Sequence, residues 1–373
     1  MTVTGRRGQM TGRIIGQILL NGLAALLWLV FVSRRDKAGG AKGPKQRLPR
    51  FFFSGMLSVP LALVLSFGVS RAVTLLFTGS STLDFFLDEF FTAGAVEELS
   101  KFFIFFLMTR RLNSIIEPKD GVLQACTIAL GFATVENFLY GLNYGAGTTL
   151  YRSLMCTSGH MVYSFLWSSV YSLVVVTTRR GQRKGYAFPM MMGMLPAALL
   201  HGLYNFFLDL GRNGFAVAVN IAGLIAALVI FAEMKKKSPY TPHTRQDYEA
   251  GFPLVLQALM NHPDNFELNY RAGRHSLYCH DFAAAAGYLG VCHRLKPGHA
   301  KSCLCYSAAL AGMRRYHQAK TVFDRRFRWI DDEAAGKLWQ ELRRFRLPYA
   351  LRSDLRVLFR DLETAAVLQE NRA

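Results

Sequence analysis

Apolar residues fill the first 235 positions in long runs separated by short polar links. Seven of these runs, near 13–32, 51–77, 85–108, 121–144, 152–177, 186–209 and 215–234, approach or exceed the roughly 20 residues a helix needs to cross the hydrocarbon layer. Backbone polar groups must be satisfied internally in lipid, so the pattern predicts an all-α fold: a polytopic membrane helix bundle of about seven spans. The first run is followed by Ser33-Arg34-Arg35 rather than by a small-residue cleavage site, so it is read as a span and not as a leader.

After Lys237 the pattern changes. Ser238-Pro239-Tyr240-Thr241-Pro242 breaks the helical periodicity, and the remainder is soluble in character. Pro263 and Pro297 are 34 residues apart, as are Phe282 and Tyr316, Ala285 and Ala319, and Leu289 and Phe323. That period belongs to stacked helix-turn-helix units, and with Gly273 in place residues 266–299 resemble one tetratricopeptide repeat. Segments 333–346 and 350–370 read as amphipathic helices that would cap a short array. The chain therefore divides into a transmembrane domain over 1–237, a linker over 238–241 and a soluble α-helical repeat region over 242–373.

The formal charge of +19 sits largely in alternate links: Arg34 to Arg50, Arg110 and Arg111, Arg179 to Lys184, and Lys235 to Lys237. The positive-inside rule makes these cytoplasmic, which predicts a multi-pass protein of the cell membrane with its C-terminal region in the cytoplasm. A basic rim of this kind meets anionic lipid, so the charge calls for the bilayer as partner and not for nucleic acid. The six cysteines are split between spans and a region assigned to a reducing compartment, so no disulfide framework is expected. Cys279-His280, Cys292-His293 and Cys303-Leu304-Cys305 fit none of the usual paired zinc spacings.

What changes the picture is charge inside the apolar runs. The third carries Glu97, Glu98 and Lys101, with Glu97 and Lys101 on one helical face. The fourth carries Glu136 and Asn137; the fifth opens at Tyr151-Arg152 and contains Gly159-His160; the sixth carries His201 and Asn205 on one face. Ionised groups in lipid persist only where they face protein, water or one another. Successive spans run antiparallel at 1.5 Å per residue, which puts Glu97, Glu136, His160 and His201 within about 6 Å of one level in the outer half of the membrane.

Three readings of that cluster differ in kind: hydrolysis, a proton-coupled transporter, and a non-catalytic scaffold presenting helical repeats. A transporter should show related halves, and the spans carry no convincing internal repeat. A scaffold has no need of His201 and Asn205 at the depth of Glu97. Hydrolysis of a peptide bond requires an activated water and donors for a developing oxyanion, and the residues offer Glu97 with His160 for the first and His201 with Asn205 for the second.

Glu97-Glu98-x-x-Lys101, Phe132-x-x-x-Glu136-Asn137, Arg152 leading to Gly159-His160, and His201-x-x-x-Asn205, in that order on successive spans, resemble the PrsW family of intramembrane proteases, relatives of the CAAX-prenyl endopeptidases. The resemblance covers about 85–210. It implies a peptidase that cuts membrane-anchored proteins, as in regulated proteolysis of anti-sigma factors, with Glu97, Glu98, His160, His201 and Asn205 as the catalytic set and Lys101, Glu136, Asn137 and Arg152 in support. Without a His-Glu-x-x-His pattern the preferred reading has no metal or other cofactor; the alternative is zinc held by His160, His201, Glu97 and Glu136. The repeats add a possible surface for a protein partner.

Overall fold

The computed structural model describes residues 3–35, 48–76, 81–110, 115–177, 187–238, 245–327, 337, 340 and 342–359. Among them there is no strand, and the chain forms two compact units that divide after Ser238. Of the proposed linker 238–241 only Ser238 is described; Pro239, Tyr240 and Thr241 lie outside the described residues, as does half of 333–346 and everything beyond 359 in 350–370.

The first unit comprises α1 (Val3–Arg35), α2 (Leu48–Met56), α3 (Ser58–Leu76), α4 (Thr82–Asp88), a π-helical turn (Glu89–Ala95), α5 (Val96–Thr109), α6 (Pro118–Tyr144), α7 (Ala146–Thr177), α8 (Ala187–Asp209) and α9 (Asn213–Lys236). Six stretches are long and apolar enough to cross a membrane: Thr11–Phe31, Leu48–Leu76, Pro118–Tyr144, Ala146–Thr177, Met191–Asp209 and Asn213–Lys236. The remaining sequence segment, 85–108, lies in a helical run from Thr82 to Thr109 that the π turn interrupts and that carries Glu97, Glu98 and Lys101. The protein is an all-α polytopic membrane bundle.

Local chemistry sets the boundaries of these helices. Ser81 caps α4 by accepting from Asp84 N at 3.0 Å, and Asp120 Oδ2 accepts from Ile116 N and Glu117 N at 2.9 and 3.0 Å, with Pro118 opening α6. Gly145, at φ 94°, makes the one-residue turn between α6 and α7 in a conformation other residues rarely adopt. A Cβ on Gly55 would collide with the carbonyl of Ile128, and one on Gly131 with that of Phe52, so α2 lies backbone to backbone against α6. Lipid-facing positions such as Leu63, Val64, Leu224 and Val229 remain exposed, while α6 and α7 are buried along most of their length.

The second unit contains α10 (Arg245–Asn261), α11 (Phe266–Tyr278), α12 (Phe282–Leu295), α13 (Ala300–Gly312), α14 (Tyr316–Phe327) and α15 (Tyr349–Leu358). Asn265, Asp281 and His299 cap α11, α12 and α13 through their side chains. Residues 34 apart in sequence take corresponding places: Phe282 and Tyr316 begin α12 and α14, and Ala285 and Ala319 are fully buried. Cys292 lies in this core, where burial pushes its thiol up to about 12, as suits a packing residue rather than a thiolate ligand.

Candidate active site

The π turn brings the charged start of α5 against α8. A Cβ on Gly94 would strike the carbonyl of Ala198, and one on Gly202 would come within 2.8 Å of Phe90 Cα, so two glycines allow the backbones to touch one residue from His201. Glu97, Glu98 and Lys101 from α5, Glu136 from α6, His160 from α7 and His201 from α8 then meet in one cluster.

Glu98 is fully buried and surrounded by donors. Its Oε1 lies 2.8 Å from Lys101 Nζ and 3.2 Å from His201 Nδ1, while Oε2 accepts from Ser164 Oγ at 3.1 Å and Trp167 Nε1 at 3.0 Å. Four partners leave it no capacity for a substrate, so it can position neighbours but not react. Lys101, equally buried, also reaches His160 Nδ1 at 2.9 Å and sits 4.1 Å from the centre of the Phe132 ring.

Glu97 is different. Its Oε2 is buried without a hydrogen bond, 3.5 Å from Lys101 Nζ, 3.7 Å from His201 Nε2 and 4.0 Å from His160 Nδ1. The side chain as a whole keeps 16% exposure, unlike that of Glu98, which has none.

Glu136 stands on the far side of His160, with its Oε2 2.8 Å from His160 Nε2 and its Oε1 2.5 Å from Arg152 Nη2. Arg152 Nε donates to Asn137 Oδ1 at 3.1 Å, Asn137 Nδ2 donates to Thr157 Oγ1 at 3.0 Å, and the guanidinium lies 3.7 Å from the centre of the Tyr140 ring. Asn205, one turn after His201, is half-buried and makes no side-chain hydrogen bond among the described residues.

A consequence follows for both imidazoles. Each has one nitrogen against a carboxylate, which takes the ring proton in the neutral form: Nε2 of His160 to Glu136 and Nδ1 of His201 to Glu98. Of the other nitrogens, His201 Nε2 presents an open lone pair 3.7 Å from Glu97 Oε2, while His160 Nδ1, 4.0 Å from that oxygen, accepts from Lys101 Nζ at 2.9 Å. His201 is thereby arranged as an acceptor or ligand rather than as the oxyanion donor expected from sequence.

A family model described as "PrsW family intramembrane metalloprotease" matches residues 43–234, just over half of the chain. The chain belongs to this family. Protease PrsW of Oceanobacillus iheyensis is 26% identical over 225 residues, covering 60% of this chain and 97% of that protein. Protease PrsW of Shouchella clausii is 29% identical over 152 residues, 41% of this chain and 68% of that protein. Protease PrsW of Clostridioides difficile is 28% identical over 191 residues, 50% and 75% of the two chains. No solved structure matches. As a PrsW family member with six apolar helices of spanning length, the chain is a multi-pass intramembrane peptidase.

The family description raises the question of a metal, and the residues fit one. Among the described residues one group can supply three ligands: Glu97, His160 and His201, whose ligand atoms lie within 4.8 Å of one another. Two histidines and a glutamate form a donor set known for catalytic zinc, and a carboxylate behind each histidine is the arrangement that fixes ligand tautomers. The orphaned Glu97 Oε2 is a buried acceptor facing the open His201 Nε2, and an ion held by all three residues would take the His160 Nδ1 lone pair that Lys101 Nζ otherwise engages at 2.9 Å. Glu136 is not in the group; it backs His160 from outside.

Ser164 and Trp167 were not legible as site residues. They lie one and two turns after His160 on the same face, and polar groups on that face are the only signal that pointed to them.

Proposed function

We propose that the chain hydrolyses a peptide bond of a membrane-anchored protein at the centre formed by Glu97, His160 and His201, and that these three residues hold a divalent ion of the zinc class. The convergence of one orphaned carboxylate oxygen and two imidazoles within 4.8 Å, each ring held from behind by a second carboxylate, supports this reading, with the ion taking the place of Lys101 Nζ at His160 Nδ1. When bound, such an ion supplies an activated water and polarises the scissile carbonyl.

The chain's own groups would do the rest. Glu97, through the carboxylate oxygen not committed to the ion, accepts a proton from the attacking water and returns it to the leaving amine. Glu98 and Glu136 hold the two histidines in their tautomers, and Arg152 with Asn137 keeps Glu136 in place. Asn205, with its amide uncommitted, is the donor available to the oxyanion, and the Lys101 ammonium adds positive charge beside it.

Single-span regulators of the anti-sigma-factor type are the substrate class that the resemblance to the PrsW family implies. The second unit is proposed to be cytoplasmic and tetratricopeptide-like, and to hold the cytoplasmic segment of the substrate or a partner near the membrane, raising its local concentration. Quantitative proteomics of membranes from cells carrying Glu97→Gln tests the function: uncleaved single-span proteins should accumulate relative to wild type. Identical membrane proteomes would remove the proposal.

A further inference from the structure

On its buried face α9 presents Ala216, Asn220, Gly223, Ala227 and Met234, so Asn220 is the one polar side chain that this apolar span turns inward. Burying an amide is costly unless its groups are bonded. Here both are: Tyr163 OH donates to Asn220 Oδ1 at 2.5 Å, and Asn220 Nδ2 donates to the carbonyl of Met155 at 3.2 Å. Tyr163 in turn lies stacked on His201, with ring centres 4.8 Å apart and planes at 21°. His160 meets the same ring edge-on at 5.0 Å. Gly159 makes the arrangement possible, because a Cβ there would come within 2.9 Å of Asn220 Oδ1 and 3.1 Å of Tyr163 OH.

The Nδ1 hydrogen bond to Glu98 restrains the His201 ring from one edge only, at 3.2 Å. The stacked phenol packs against its face and opposes tilting out of that plane. We propose that Tyr163 is a positioning residue for His201, and that Asn220, reaching in from the last span, holds Tyr163 in the plane that aims His201 Nε2 at Glu97 Oε2. The proposal rests on the assignment of His201 to the reacting centre. Asn220 acts two contacts away from the chemistry and lies outside every motif that the sequence offered.

The test uses the purified full-length protein. Tyr163→Phe keeps the stacked ring and deletes the hydroxyl; Asn220→Leu keeps the volume and deletes both polar groups. Each should lower kcat for a single-span substrate by about 10-fold or more at unchanged KM, and weaken affinity for zinc alone by a similar factor. The double variant should be no slower than the slower single variant, because both changes break one shared bond. Activity is taken per folded molecule, so a loss that only tracks the folded fraction, or additive losses in the double variant, would overturn the proposal. Wild-type kcat in Tyr163→Phe, the milder change, would do the same. His201→Ala run in parallel separates the two levels: if it is inactive while the Tyr163 and Asn220 variants are normal, only the positioning role fails; if it is active, the assignment of His201 itself fails.

Discussion

Glu97 and Glu98 are consecutive on α5 and share Lys101 and His201, with Lys101 Nζ 3.5 Å from Glu97 Oε2 and 2.8 Å from Glu98 Oε1, yet Glu98 is hydrogen-bonded at both oxygens while Glu97 Oε2 has no hydrogen bond. Glu98 is the saturated counter-charge of a buried ammonium, and removing one member of such a pair costs about 3–5 kcal/mol. With any bound ion removed by chelation, Glu98→Gln should therefore unfold at clearly lower temperature in detergent than wild type, whereas Glu97→Gln, which sacrifices no hydrogen bond, should unfold close to wild type. Equal stabilities in the two variants would refute the division of roles.

Arg152 reaches the centre only through Glu136. Its guanidinium bonds Glu136 and Asn137 at once, a fork that an ammonium cannot reproduce. Arg152→Lys and Arg152→Met should both lower kcat by about 10- to 100-fold with KM little changed. Full turnover in Arg152→Lys would show that charge alone suffices.

Metal content separates ligands from donors. Purified protein should contain one divalent ion per chain by elemental mass spectrometry, lose it together with activity on chelation, and regain both when zinc is added back. His160→Ala and His201→Ala should lack the ion. Asn205→Ala should retain it and still cleave roughly 100- to 1,000-fold more slowly, as for a lost oxyanion donor. An Asn205→Ala protein without the ion would place that residue among the ligands.

Much of this centre was legible in the chain because lipid makes charge conspicuous. Glu97 with Lys101 one turn on, and Glu136, His160 and His201 at matching depth, announce themselves among apolar neighbours, and the structure brings all five together. Direction was not legible. Nothing in the spacing says that Glu136 turns to the outer side of His160, or that Glu98 takes the His201 proton, and the second of these moves His201 from donor to acceptor. The π turn at Glu89–Ala95 is equally hidden, since the close approach that goes with it is between Gly94 of the turn itself and Gly202 of α8, far apart in sequence. Trp167 carries no charge to mark it in sequence, although its indole N–H is spent on Glu98.

The second unit divides from the first after Ser238, whose hydroxyl donates to Glu117 Oε2 at the start of α6. A chain ending at Ser238 keeps that contact. It should cut the native substrate more slowly than the full chain does, but cut a substrate lacking its cytoplasmic segment at an unchanged rate. Equal rates of the two chains on both substrates would end the recruitment proposal.

The most direct measurement is the cleavage rate of a single-span substrate by wild type and by Glu97→Gln, reconstituted in lipid at equal amounts of folded protein. Removing the proton acceptor at nearly constant volume should slow cleavage by at least about 1,000-fold, within the range general acid–base catalysis supplies. A Glu97→Gln enzyme that cleaves at the wild-type rate would contradict hydrolysis at the Glu97, His160 and His201 centre.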